Sequence, residues 1–434
     1  MISPRTAPPR LPVSRRRFLK RTLAAAAVLS GASGLRAAEQ KPVTVAEAFD
    51  PVVLNFMSER DIPGAALAVA KDRRLVYAQG YGWADRALKI RATPDSLFRI
   101  ASISKPFTAV AVLQLVEQNK LSLDAPVYEF LELAAQQPKA LSLDERWKRI
   151  TLRHLLHHTA GWDRDASGDP MFKSREIASA FSLPPPAGPA AIIRWMLGKP
   201  LDFDPGSRYA YSNFGYCLLG RVIEKATGQP YEKWMRKKIL RPAGIHRMRI
   251  GASRERGRAP GEVCYYTTDH STARSVFGEP RASVPSPYGG FCLEAMDSHG
   301  GWIASAVDLV RFATALNDPA RSPLLKSETF AQLSEPPSPP VSRDAAGRLK
   351  EYYYGCGWQV RPVGSDGKAN YWHNGSLPGT STYLFRLWNG ISYAILFNQR
   401  SEGKKDDSLI DPALGRAAAA VTKWPDKDSF ESWK

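Results

Sequence analysis

Apolar residues recur at helical spacing between Val43 and Arg60, and Pro63-Gly64 breaks the run. Two short apolar stretches follow, Ala65–Ala70 and Leu75–Gly82, which read as strands joined by the turn Lys71-Asp72-Arg73-Arg74. Helical spacing returns in Arg99–Lys120, where Phe107, Val110, Leu113 and Val116 share one face from about Ser102 onward. Thr151–His158 reads as a short helix stopped before Gly161. Tyr216–Ala226, Tyr231–Leu240 and Ala304–Leu316 read as amphipathic helices. The proline-rich stretches Leu183–Pro189 and Pro336–Pro340 read as loops. Towards the end the period changes to two: Thr380–Trp388 and Ile391–Asn398 alternate and are rich in aromatics, with the hairpin signal Asn389-Gly390 between them. Asp411–Val421 closes the pattern as a helix. Strand patterns thus lie at both ends and helices between. The economical arrangement is an α+β fold over 43–421: an antiparallel sheet flanked by helices, with an inserted, mostly helical subdomain at roughly 121–300.

Composition adds that the chain is an ordinary globular one, with 434 residues, 44% hydrophobic and 24% charged. Its formal charge of +18 is concentrated in part at the front, where residues 1–38 hold eight Arg/Lys and no acid. The remainder carries 52 basic against 42 acidic residues, a balance of +10 that suits proximity to anionic surfaces such as cell wall or lipid headgroups. No basic run is interleaved with stacking aromatics, which argues against nucleic acid as a partner. Ser14-Arg15-Arg16-Arg17-Phe18-Leu19-Lys20 followed by the apolar stretch Leu23–Leu35 matches a twin-arginine export signal, with cleavage expected near Ala37 or Ala38 and a periplasmic or otherwise exported destination. The apolar stretch is shorter than the ~20 residues a spanning helix requires. Four cysteines are too few for a disulfide framework; Cys264 and Cys292 share an irregular stretch and are candidates to pair, and Cys217 reads as buried and inert.

Three short motifs carry chemistry. In Ser102-Ile103-Ser104-Lys105 the serine and lysine are three apart, on one helix face, so the amine reaches the hydroxyl. If Ser102 opens the helix, its own N–H is free to face an oxyanion. Tyr211-Ser212-Asn213 offers a phenol for proton transfer and an amide to bind a substrate carbonyl and tether Lys105. In His373-Asn374-Gly375, the glycine lets a strand edge approach a ligand, and the N–H of Ser376 is a candidate second oxyanion donor. Two decoys exist. Ser401-Glu402-Gly403-Lys404 lies in a polar stretch without an apolar face. His299-Gly300-Gly301 fits the third pattern, but nothing around it reads as a strand edge. His154 and His158 have the spacing of a metal pair on a helix, yet no glutamate stands between them; the reading is structural, and no metal or cofactor is expected. There is no Gly-x-Ser-x-Gly elbow.

With these motifs in this order, the chain resembles the serine β-lactamase/penicillin-binding superfamily, in its class C and D,D-peptidase-like branch, from about Val43 to about Val421. The stretches Ile150–Gly161 and Gly300–Ser305 look like further landmarks of that branch. The resemblance implies Ser102 as nucleophile, Lys105 and Tyr211 as the proton-transfer pair, Asn213 as a substrate contact, and His373 lining the cleft beside Gly375 and Ser376. Tyr211 is expected to activate the deacylating water. Class C enzymes resemble this pattern with lysine where this chain has His373, which is mostly neutral at neutral pH. The expected activity is therefore that of an exported esterase or D-amino-acid peptidase, taking a small ester or peptide. The alternatives are a class C-type β-lactamase and a catalytically idle cell-wall peptide-binding protein.

Overall fold

The computed structural model describes residues 41–137, 142–278, 282–344, 346–365, 367–403 and 405–433. The export signal expected in 1–38 and Lys404 of the second serine–lysine pattern lie outside the described residues. Helix α1 (Val45–Arg60) begins with a capping box between Thr44 and Glu47 and stops at Asp61, which takes a left-handed conformation. Strands β1 (Gly64–Lys71) and β2 (Arg74–Asp85) form a hairpin whose turn uses positive φ at Asp72 and Arg73. Short strands β3 (Ile90–Arg91) and β4 (Phe98–Arg99) lead to helix α2 (Ser104–Glu117). The chain then leaves the main sheet for a largely helical stretch that includes α3 (Leu152–Leu156), α4 (Asn213–Thr227) and the small strand β5 (Arg249–Ile250). Strand β6 (Trp302–Ala304) and helix α5 (Ala306–Ala315) bring it back. Strands β7 (Tyr353–Tyr354), β8 (Gln359–Val363), β9 (Lys368–Leu377), β10 (Thr380–Arg386) and β11 (Ile391–Phe397) and helix α6 (Ile410–Ala420) complete it.

The main sheet has eight strands in the order β7-β8-β9-β10-β11-β1-β2-β3, and the pairings are antiparallel. The alternation along β1 decides the layers. Ala65, Leu67 and Val69 face α1 and α6, while Ala66, Ala68 and Ala70 face the larger core that holds α2 and α5. Both faces of the sheet are therefore covered, which explains why β1 reads as one apolar run rather than an alternating one. The expected α+β sheet flanked by helices is what forms.

Several expectations are corrected. Helix α2 begins at Ser104, and Ser102 sits in a preceding 3-10 turn, Ala101–Ile103. The helix expected over Tyr231–Leu240 is regular only to Met235 and continues as a π-turn, Arg236–Leu240. Trp302–Ala304 is the central strand of a small sheet ordered β4-β6-β5, so a strand does follow His299-Gly300-Gly301. Cys264 and Cys292 are not paired: the Cys264 thiol lies 2.9 Å from the Asp85 carboxylate and the Cys292 thiol turns to Glu294. Cys217 is fully buried, and burial pushes its thiol up to about 12.

Candidate active site

Ser102 is placed by backbone strain as much as by helix geometry. Ala101, fully buried, is held at φ 46°, a left-handed conformation that costs a non-glycine residue about 1 kcal/mol or more. The turn lifts Ser102 to a half-buried position in front of α2. Lys105, one residue into α2, has no exposed surface. Its Nζ lies 3.2 Å from Ser102 Oγ, 2.8 Å from Asn213 Oδ1 and 2.9 Å from the carbonyl oxygen of His299. Burial drives the amine well below its ordinary value of 10.5; Asp169 opposes that shift and Arg164 adds to it. A neutral amine has two N–H bonds, and two of the three neighbours are pure acceptors. Its lone pair is then left for Ser102 Oγ, the arrangement a general base requires.

The amide of Asn213 is oriented by Asp169. Its Nδ2 donates to Asp169 Oδ2 at 2.6 Å, and since a carboxylate only accepts, Oδ1 must face Lys105. Asp169 is itself fixed by accepting from the N–H of Met171 at the start of a 3-10 turn. Ser212 caps α4 by accepting from the N–H of Gly215, which sets Asn213 as the first residue of that helix. The loop carrying Tyr211 is laced onto the segment after α3: Gly206 N–H donates to Thr159 O, Ala210 N–H to His158 O, and Ser212 N–H to His158 Nδ1.

Tyr211 lies over this assembly. Lys105 Nζ is 4.7 Å from its ring centroid, and the guanidinium of Arg164 is also 4.7 Å from it. The His158 ring packs at 4.3 Å, and those of Tyr354 and His373 at 6.2 and 6.4 Å. The phenol oxygen is buried without a hydrogen bond of regular geometry, although the Ser102 hydroxyl beside it favours its ionised form. Burial outweighs that effect and raises its pKa above the ordinary tyrosine value, so Tyr211 stays protonated at rest.

His373 is 2% exposed and meets this group from β9. Its Nδ1 lies 2.7 Å from the carbonyl oxygen of Asn374 and must donate to it, which leaves Nε2 to accept from the Tyr354 hydroxyl at 2.9 Å. Burial, reinforced by Lys105, pushes His373 down to about 3. Beyond Trp372, β9 is no longer paired with β8, so among the described residues its His373–Leu377 edge has no strand neighbour on that side. Gly375 lies there against the backbone before Ser102; a Cβ would overlap Ile100 O and Thr382 Oγ1. Ser376 follows, exposed, and its hydroxyl accepts from Arg400 at 3.2 Å.

Ser102, Lys105, Tyr211, Asn213, His373 and Gly375 are thus brought together, with Ser376 at the next strand position. The three histidines diverge: His154 Nδ1 accepts from Thr151 N–H, His157 Nδ1 faces Tyr354 O, and His158 serves the Tyr211 loop. Among the described residues, no group of three or more His, Cys, Asp or Glu could hold a metal. Sequence reasoning missed Asp169, Arg164, Tyr354 and the carbonyl of His299. The apolar triplet Trp302-Ile303-Ala304 was the signal that could have promoted His299-Gly300 from a decoy to a structural part of the site.

The beta-lactamase family model matches residues 49–416. The chain is 27% identical over 352 residues to a penicillin-binding protein 4 of Amycolatopsis lactamdurans, covering 79% of this chain and 82% of that one. It is 33% identical over 205 residues to an esterase, EstB, of Burkholderia gladioli, covering 46% and 50%. Among solved structures, the octameric penicillin-binding protein homologue from Pyrococcus abyssi superposes with a TM-score of 0.66 at 25% identity, over 89% of this chain and 79% of that one.

Proposed function

The chain belongs to the beta-lactamase family of serine hydrolases, and on that premise we propose that it is an esterase or D-amino-acid peptidase working through an acyl-enzyme on Ser102. The observation that carries the choice between ester or peptide and β-lactam is the state of His373. Its two ring nitrogens are engaged by Asn374 and Tyr354, and it is neutral at any physiological pH. No fixed positive charge stands at that strand position to hold a β-lactam carboxylate. The likeness to an esterase and to a penicillin-binding protein supports the same reading.

In the proposed reaction, neutral Lys105 takes the proton of Ser102 Oγ as that oxygen attacks the substrate carbonyl. The N–H groups of Ser102 and Ser376 hold the oxyanion, and Asn213 contacts the substrate carbonyl group. Tyr211 gives its proton to the leaving group and regains one from Lys105, so the proton lost by Ser102 departs with the leaving group. Water then attacks the acyl-enzyme, and its proton passes through the same pair back to Ser102 Oγ as the acid leaves. This assigns Lys105 the first acceptor role in both steps, since the buried Tyr211 holds its proton at rest.

The test is turnover of a short-chain p-nitrophenyl ester and a chromogenic cephalosporin, side by side, by the natural chain and by Ser102→Ala. Ester turnover that disappears in Ser102→Ala, with the cephalosporin nearly untouched, is expected. Faster turnover of the cephalosporin would overturn the preference, and ester turnover that survives Ser102→Ala would overturn the nucleophile.

A further inference from the structure

Lys105, His373, Arg400 and Arg164 are basic side chains bordering the proposed reaction centre, and the first three are not free positive charges. Lys105 is buried among Ser102, Asn213 and the His299 carbonyl. His373 is neutral. Arg400 donates to Ser376 but is clamped by Glu402, with contacts of 2.8 and 2.6 Å to one carboxylate oxygen. Arg164 is different. It stands on the exposed segment after Trp162, its guanidinium lies over the Tyr211 ring at 4.7 Å, and 45% of its side chain remains open. Its acidic contact is Asp165 at 3.9 Å, a neighbour 92% exposed, which makes a weak pair. Seated over the aromatic face with nearly half of its side chain open, the guanidinium can present N–H groups to a planar anion.

We propose that Arg164 is the charge-selecting residue of this site: seated on Tyr211, it binds a carboxylate of the substrate and makes carboxylate-bearing esters or peptides the preferred class. The inference rests on the acyl-enzyme reading above and deepens it. The positive charge that the third motif would have supplied as a lysine on β9 arrives instead from the 162–172 segment. The two ends of that segment then have complementary tasks. Arg164 addresses the substrate, while Asp169, five residues on, orients Asn213 for Lys105. A carboxylate held at Arg164 is bound by the guanidinium over Tyr211, whereas position 373 offers it only a neutral histidine, so a preference for anions here is compatible with a poor β-lactamase.

Two matched pairs of esters test this on the full chain: mono-p-nitrophenyl glutarate against p-nitrophenyl hexanoate, with the charge in the acyl part, and 4-acetoxybenzoate against 4-acetoxytoluene, with the charge in the leaving part. In at least one pair the charged member is expected to have the higher kcat/KM. Arg164→Met then lowers kcat/KM for that member about tenfold more than for its neutral partner, mainly through KM, and Arg164→Lys restores part of the difference. The preference shrinks as salt is raised, because the pair is open to solvent. No preference in the natural chain, or equal losses on both members in Arg164→Met, overturns the proposal. Turnover of the neutral esters that depends on Ser102 keeps the hydrolase reading intact in that event, whereas absence of all ester turnover strikes both.

Discussion

At the scale of single residues, burial in the site disfavours the charged forms of its basic side chains. Burial pushes both Lys105 and His373 below their ordinary values, and Lys105 lowers His373 further. They differ in what remains. His373 keeps no free lone pair or proton, because Asn374 and Tyr354 take both nitrogens. In its uncharged form Lys105 keeps a lone pair for Ser102 Oγ, 3.2 Å away. The proposed mechanism needs unprotonated Lys105, so kcat/KM is expected to rise with pH through the pKa of Lys105, well below 10.5. Asp169 favours the charged amine, so Asp169→Asn is expected to move the limb to lower pH. His373→Gln, which removes a group already neutral above about 3, leaves the limb where it is. The pH profiles of the three proteins decide the assignment. A limb that vanishes in His373→Gln would give the titration to histidine instead.

At the scale of elements, the proposed reaction centre is a meeting of the front of α2, the start of α4 and the His373–Leu377 edge of β9. The motif strings were legible because each is local: a serine and lysine one turn apart, a capped helix start, a glycine in a strand. What was not legible joins segments far apart in the chain. Asp169 finds Asn213 across 44 residues, and Lys105 finds the carbonyl of His299 across 194. A backbone acceptor has no residue signature, and Tyr354 belongs to a two-residue strand too short for any period to show. Gly375 shows how tightly the elements meet. A methyl group there collides with backbone at Ile100 and with the Thr382 hydroxyl, and must push β9 away from the turn that carries Ser102. A displacement of the order of 1 Å in a reacting group costs roughly 100-fold. Gly375→Ala is thus expected to lose about 100-fold in kcat while keeping the circular dichroism of the natural chain. Retained turnover would show that β9 does not set the geometry around Ser102.

At the scale of the whole molecule, the ends of the chain make the middle of the sheet. The N-terminal strand β1 lies between its hairpin partner β2 and the late strand β11, in a register from Ala65 opposite Phe397 to Lys71 opposite Ile391. This much of the fold was legible, because the alternation of Ile391–Asn398 and the Asn389-Gly390 turn are strong local signals and a buried hairpin has few other places to go. Strands β8 and β9 were weaker in sequence, since their side chains are largely half-exposed and carry polar residues on both faces. The closure has a consequence for stability. From β11, Tyr393, Ile395 and Phe397 fill the core under α1 and α6, and Ala394 and Leu396 the core under α2. The four large side chains of that set bury about 1.5–3 kcal/mol each, which rivals the 5–15 kcal/mol or so that holds a domain together. A chain ended at Asn389 keeps Ser102, Lys105, Tyr211, Asn213 and His373, yet it loses the partner of β1 and the floor of both cores. It is expected to show no cooperative thermal transition in near-ultraviolet circular dichroism and no mass shift with a fluorophosphonate that labels Ser102 in the full chain. A sharp transition together with labelling would mean that the middle of the chain folds without its own central strand, and that the sheet decorates the site rather than builds it.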